Sequence, residues 1–384
     1  MDKRPKHKSK SAVGLILAGG GARAAYQVGV LKAIAQMLPN RAKNPFPIIC
    51  GTSAGAINGA VIAINANRFS LGVKRLCKVW NNFRVEQVFR ADTIGVIKSG
   101  AHWFAAMMLG GLGKYNPCSL LDRQPLRELL DRQVPCDEIQ SSIDSGALQA
   151  FSVTASGYTS SQSVIFYQGK PDIVPWHRAR RIGVKADITT EHLLASSAIP
   201  FVFEAVKVNR EYFGDGSMRQ IAPISPALHL GADKVLVIGV RRDEPEELER
   251  LKTMHYPSLA HVAGFVLDSI FLDSMETDLE RLQRINKTVG LIPPEKREQG
   301  SLRPVDVLVI SPSEDIQSIA ARYISELPLA LRLLLKGVGA LNKSGANFVS
   351  YLLFEKGYCR ELIDMGYRDA MARKEEVLNF LGYK

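Results

Sequence analysis

Cys50-Gly51-Thr52-Ser53-Ala54-Gly55 contains the pattern G-x-S-x-G, the sequence form of a nucleophile elbow. An apolar run, Phe46 to Cys50, enters it, and a run of small and apolar residues, Ala56 to Ala66, leaves it. Ser53 is therefore expected at a sharp strand-to-helix turn. Such a turn needs glycine on both sides, because a side chain at Gly51 or Gly55 would collide with the crossing backbone.

Working outward, Val13 to Ala18 is continuously apolar and reads as a buried strand. Gly19-Gly20-Gly21-Ala22-Arg23 is a glycine loop, and Ala24 to Met37 has helical periodicity that stops near Pro39. The opening is thus strand, glycine loop, helix, strand, elbow, helix. That order argues for an α/β fold with a parallel sheet covered by helices. Further on, Ala150–Ala155, Ser163–Tyr167, Lys234–Val240 and Val305–Ile310 read as strands. Ala205–Asn209 and Glu211–Phe213 read as a hairpin around Asn209-Arg210. Val73–Trp80, Pro125–Gln133, Thr189–Ala198, Pro226–Leu230 and one long segment, Leu259–Ile285, read as helices. Residues 1–10 form a basic tail expected to be disordered, and the chain beyond Asp315 reads as mainly helical.

The chain has 384 residues, 46% of them hydrophobic, with five cysteines and a net charge of +11. The cysteines show no CxxC and no histidine at metal-ligand spacing, which argues for reduced thiols in the cytosol and against structural zinc. The charge is uneven: after Asp2 the next acidic residue is Glu86, and fourteen Lys or Arg lie between them. A field of one sign attracts phosphates of nucleic acid or of an anionic membrane. No nucleic-acid module is visible, so a nucleic-acid partner is not expected. Lys3–Lys10 followed by Ala12–Ala18 has the outline of a short secretory signal. The apolar run is minimal, and the glycines after it are better explained as a functional loop. No uninterrupted apolar stretch reaches the ~20 residues that span a bilayer.

An acyl-transfer serine needs a base for its proton and donors for the oxyanion. Side-chain-free residues let backbone N–H groups converge on one anionic oxygen, so the 19–23 loop is the candidate oxyanion site, aided by the start of the following helix. Gly19-x-Gly21-x-x-Ala24 also fits a loose dinucleotide fingerprint, but the acidic residue required ~20 positions on is missing. Gly214-Asp215-Gly216 supplies a carboxylate at the end of another strand. A buried Asp215 beside Ser53 could accept the serine proton without histidine. Two alternatives stand beside this dyad. One is a Ser-His-Asp triad, for which His229, His255 and His261 follow Asp215. The other is a non-catalytic lipid- or anion-binding protein with a decayed site. The elbow's position after only the second strand disfavours the triad.

The chain resembles the bacterial patatin-like phospholipases. Four segments match that family's pattern in its order: Gly19 to Arg23, Gly51 to Gly55, Ala195-Ser196-Ser197-Ala198-Ile199-Pro200, and Asp215-Gly216. They span residues 11 to about 240. The resemblance implies a three-layer α/β/α fold with a mainly parallel sheet; the catalytic domain is expected over 11–311, and 312–384, which carries no motif of the family, reads as a mainly helical extension. It implies a Ser53–Asp215 dyad acting on acyl lipids, with Gly19, Gly20, Gly21, Ala22, Arg23 and Ala54 around the oxyanion. Gly51, Gly55 and Gly216 shape the turns. Neither metal nor organic cofactor is required. One departure is Ser217, where the family often carries a second glycine after Asp-Gly.

A lipid substrate must be reached at an interface. Three stretches suit this: the basic first eighty residues, the Gly-rich apolar run His102–Gly113, and Leu327–Leu341. In the last, Arg332 and Lys336 form a narrow polar stripe on an apolar helix. The expectation is a cytoplasmic protein with peripheral contact at the inner face of the membrane. Its oligomeric state is left open.

Overall fold

The computed structural model describes residues 12–39, 41–90, 119–242, 256, 258–293, 296, 303–337, 339–340 and 345–383. The basic tail, the His102–Gly113 run, and His7, His102 and His255 lie outside the described residues.

The first half of the chain alternates strand and helix. Strand β1 (Val13–Leu17) leads through the glycine loop into a 3-10 turn (Gly21–Ala24) and helix α1 (Ala25–Met37). Strand β2 (Ile48–Thr52) is followed by α2 (Ala54–Ile64) and α3 (Phe69–Trp80). After α4 (Gln124–Gln133) and α5 (Glu138–Asp144) come β3 (Ala150–Gly157), β4 (Ser163–Gly169), β5 (Trp176–Arg178) and β6 (Arg181–Lys185). Helix α6 (Thr190–Ser196) precedes a hairpin of β7 (Val206–Val208) and β8 (Glu211–Asp215). Asn209 turns this hairpin with a left-handed φ of 55°. A 3-10 turn (Gly216–Arg219), α7 (Ser225–His229) and β9 (Lys234–Ile238) follow. The rest is α8 (Leu259–Phe271), α9 (Asp273–Gly290), β10 (Asp306–Ile310), α10 (Ile316–Tyr323), α11 (Leu329–Gly337), α12 (Ala346–Leu352), α13 (Lys356–Ala372) and α14 (Lys374–Leu381).

One sheet organises these elements, in the order β10-β9-β1-β2-β3-β4-β6-β5. Its first five strands are parallel. Beyond β3 the sheet is mixed: β4 and β8 both run antiparallel to β3, and β4 pairs parallel with β6. The expected mainly parallel sheet is therefore the half that carries the elbow, with a mixed half added to it. Strand parity splits the core between two faces. Leu15 and Leu17 of β1 join one apolar cluster with α1, α2 and the helices after 311. Ile16 faces the other cluster, with Ala227 of α7 and Leu282 of α9. Helices thus cover both faces of the sheet, as the sequence led one to expect.

Some boundaries differ from the sequence reading, each for a physical reason. The glycine loop passes through a 3-10 turn before α1 begins at Ala25. The segment Leu259–Ile285 is two helices, broken at Leu272, whose φ of −116° turns Phe271 and Leu272 into the core. Strands β5 and β6 carry mostly exposed residues, so they show no continuous apolar run.

Helices after residue 311 share one apolar core with β1, α1 and α2. Helix α1 packs most extensively on α13. A Cβ at Gly29 would lie 2.0 Å from the Ile363 carbonyl oxygen, and one at Gly366 would lie 2.2 Å from that of Tyr26. Only glycine permits two helices to approach this closely at these positions. In α11, Leu331 and Leu335 are buried while Leu329, Leu333 and Lys336 are exposed.

Candidate active site

Ser53 lies directly after β2, with φ 54° and ψ −131°. A non-glycine residue held there stores strain of about 1–3 kcal/mol, so its surroundings must over-determine it. They do so through close approaches. A Cβ on Gly51 would lie 2.4 Å from Ala56 Cα, and one on Gly55 would lie 2.3 Å from the Leu17 carbonyl oxygen. A third restraint comes from α6: Ser196 Oγ accepts the Ser53 N–H (2.8 Å) and donates to the Thr154 carbonyl (2.6 Å). The Ala195–Pro200 block is thereby tied to the elbow. It is also tied to Asp215, whose N–H donates to the Ala198 carbonyl at 2.8 Å.

Register brings the carboxylate to the serine. Thr52 at the end of β2 pairs with Thr154, and the next residue of β3, Ala155, pairs with Asp215. Gly216 follows in a space where a Cβ would lie 2.1 Å from the Thr154 carbonyl oxygen. Gln220 secures the turn, accepting from Thr52 Oγ1 (2.9 Å) and donating to Thr154 Oγ1 (3.3 Å).

Asp215 is 0% exposed. Its Oδ1 accepts the Ser217 N–H at 2.9 Å. Oδ2 makes no well-aligned hydrogen bond among the described residues. Burial pushes the carboxyl up to about 6, while the Ser53 hydroxyl, the Ser217 amide and the Ser217 hydroxyl draw it back. None of these influences is a histidine. Of the described histidines, His229 stacks on Trp176 at 4.9 Å and His192 meets Phe166 edge-on at 4.7 Å. A carboxylate whose proton affinity is raised by burial is a better base than one in water.

The glycine loop lies against this pair. A Cβ on Gly19 would be 3.1 Å from Ser53 Cβ, and one on Gly21, whose φ is +55°, would be 2.2 Å from the Tyr351 carbonyl oxygen. Two buried amides bracket the loop. Gln27 Nε2 donates to the Ala18 carbonyl (2.8 Å), and Asn58 Nδ2 donates to the Ala24 carbonyl (3.1 Å). The loop's last amide is used internally, since Arg23 N–H donates to the Gly20 carbonyl at 3.1 Å. Arg23 N–H is therefore unavailable to an oxyanion, contrary to the sequence reading that included the whole loop.

The Arg23 side chain is 2% exposed and points away from the serine side. Its Nε donates to Ser350 Oγ (2.8 Å), and its guanidinium pairs with Asp268 (3.4 Å) and Asn347 Oδ1 and lies 3.9 Å over the Tyr351 ring. Tyr351 OH and Asn347 Nδ2 in turn donate to Asp268, at 2.6 and 2.7 Å. Arg23 thus anchors the loop to α12. Ser196 was singled out in the sequence only as part of the Ala195–Pro200 block, without its hydrogen bonds, and Asn58, Gln27 and this α12 cluster were not singled out. The one legible signal was an asparagine or glutamine inside an otherwise apolar helix.

Ser53, Ala54 and Gly21 border an apolar cavity walled by Ile57, Val61, Leu76, Trp80, Leu130 and Phe203. Exposed Arg75 and Gln133 stand at its rim. Ser53 itself is only 2% exposed, so its access is to this cavity rather than to open solvent.

The fold and this arrangement are those of a serine hydrolase of the α/β/α type. A family model described as patatin-like phospholipase matches residues 15–228, more than half of the chain, and the chain belongs to that family. Among curated proteins it is 52% identical over 56 residues to "Lysophospholipase nte1" of Aspergillus terreus (strain NIH 2624 / FGSC A1156). That match covers 15% of this chain and 3% of the fungal protein. Among solved structures it is similar to VipD from Legionella pneumophila, at a TM-score of 0.35 and 11% identity, over 96% of this chain and 67% of that one. Among the described residues, no helix is long and apolar enough to cross a membrane.

Proposed function

We propose that the protein is a lipid acyl hydrolase using Ser53 as nucleophile and Asp215 as base. The observation that carries this reading is the juxtaposition of a positive-φ serine with a fully buried carboxylate at the head of an apolar cavity. Ser53 Oγ attacks an ester carbonyl while Asp215 takes its proton. The oxyanion is held by backbone N–H groups of the Gly19–Ala22 loop and of Ala54. Asp215 returns the proton to the departing alcohol, which leaves an acyl-Ser53 ester. Water then attacks that ester with Asp215 again as base, releasing a fatty acid and restoring Ser53. The acyl chain occupies the cavity of Ile57, Trp80 and Phe203.

Family membership and the matching segment of the fungal lysophospholipase support acyl lipids as the substrate class. The exposed Leu329 and Leu333 beside Lys336 on α11 suit peripheral contact with an anionic bilayer. Two protein variants and one probe test the reading. Ser53→Ala abolishes fluorophosphonate labelling and fatty-acid release. Asp215→Asn lowers release by ~10^3-fold or more. Fatty-acid release that persists in Ser53→Ala overturns the dyad.

A further inference from the structure

A second cavity, bordered by Ser217 two residues after Asp215, shares no lining residue with the apolar one. Its volume is about 350 Å³, and Ser217, Arg219, Ile221, Arg180, Ser269 and Ser274 are among its lining residues. No acidic side chain and no aromatic ring lines it. The Arg180 and Arg219 side chains are exposed and have no acidic partner among the described residues. Gln220, which bonds Thr52 and Thr154, and Ser217 both join the cavity to the candidate reaction centre. Ser217 donates its N–H to Asp215 Oδ1 at 2.9 Å. Its Oγ lies 2.6 Å from where a Gly19 Cβ would be, a point only 3.1 Å from Ser53 Cβ. The rim is apolar. Ser269 shares its face of α8 with Val262, Phe265 and Val266, which are 44%, 67% and 47% exposed, and Ile221 is 52% exposed.

We propose that this cavity binds an anionic phosphoryl group on the leaving alcohol, so that the enzyme selects acyl lipids whose headgroup bears net negative charge. The inference rests on the Ser53–Asp215 reading, which fixes the leaving group on the Ser217 side when the acyl chain lies in the apolar cavity. A guanidinium only donates and a serine hydroxyl can donate as well as accept, so two guanidiniums without an acidic partner among the described residues make a donor-rich cavity, which is the chemistry of a phosphate site. A quaternary ammonium headgroup calls for an aromatic cage or a carboxylate, and this cavity offers neither. The apolar rim suits an amphiphile drawn partly from a lipid surface.

The test compares two monomeric substrates, a short-chain acylglycerol phosphate and the matching acylglycerol phosphocholine. The wild type favours the anionic one in kcat/KM. Arg180→Gln and Arg219→Gln each reduce that preference about tenfold, whereas Lys74→Gln, a distant exposed cation, leaves the preference in place. A preference unchanged in both arginine variants, or lost equally in Lys74→Gln, overturns the proposal. Glycerol phosphate binds Ser53→Ala protein by calorimetry, and more weakly when either arginine is replaced. That arm is independent of turnover, so it separates this inference from the dyad. Binding of inorganic phosphate without any discrimination between the two lipids would assign the cavity to free phosphate and overturn the headgroup reading.

Discussion

Asp215 holds two demands in opposition. In the proposed mechanism Asp215 is the base and must be ionised to act, yet full burial disfavours the charge and lifts the carboxyl to about 6. Because the ionised form is the active one, kcat/KM rises with pH through that value. Ser217→Ala removes one of the hydroxyls that stabilise the charge while keeping the amide, so the rising limb moves to higher pH. A pH–rate profile on a soluble ester reads both, and a limb unmoved in Ser217→Ala excludes the hydroxyl's role. Tyr158 is the other titratable group facing this carboxylate, and burial and the Asp215 charge both raise it, so it stays neutral across the limb. The same conflict has a stability consequence. A carboxyl raised in the folded state binds its proton more tightly there than in the unfolded chain, so stability falls as pH rises from about 4 through 6. Asp215→Asn escapes that loss and is expected to be more stable than the wild type at pH 7–8. The upper bound is about 3 kcal/mol, the free-energy equivalent of the displacement, read by urea denaturation at pH 5 and 8.

At the scale of elements, the crossing of α1 and α13 is set by glycine. Gly366→Ala places a methyl against the Tyr26 carbonyl, which lies on the helix that continues the glycine loop. Overpacking of this kind costs about 1–3 kcal/mol, and here backbone rather than a side-chain tip must yield. Denaturation midpoints fall by that amount, and activity falls with them because α1 moves the loop. An Ala variant as stable as the wild type would mean that the helices separate freely. The elbow, the glycine loop and Asp215 were legible because each is a local device whose residue types are dictated by turn geometry. Gly51, Gly55 and Gly216 stand where a Cβ has no room. Strands β5, at the sheet edge, and β6, its neighbour, were not legible, because strands with few buried residues lack the apolar signal. Ser196 could be seen as part of a family block, but its hydrogen bonds to Ser53 and Thr154 depend on chain brought together across 143 and 42 positions.

The whole molecule joins what the sequence reading divided. Arg23 of the glycine loop has its partners on α8 and α12, and α1 lies on α13. A chain ending at residue 311 loses α12 and α13 and exposes Tyr26, Leu31 and Ile34, which are fully buried in the intact protein. The expected outcome is an insoluble or inactive fragment, checked by expression, gel filtration and fluorophosphonate labelling. A soluble, labelled fragment would make 312–384 a separable extension.

The Arg23 anchor also imposes a clock on the protein's biosynthesis. The arginine leaves the ribosome 327 residues ahead of Ser350. At about 5–20 residues per second, that interval is on the order of 15–65 s. Throughout it the glycine loop has no α12 to hold it, although Ser53 and then Asp215 are made before the interval ends. On the proposed function, a nascent chain is therefore latent toward lipids until α12 has emerged.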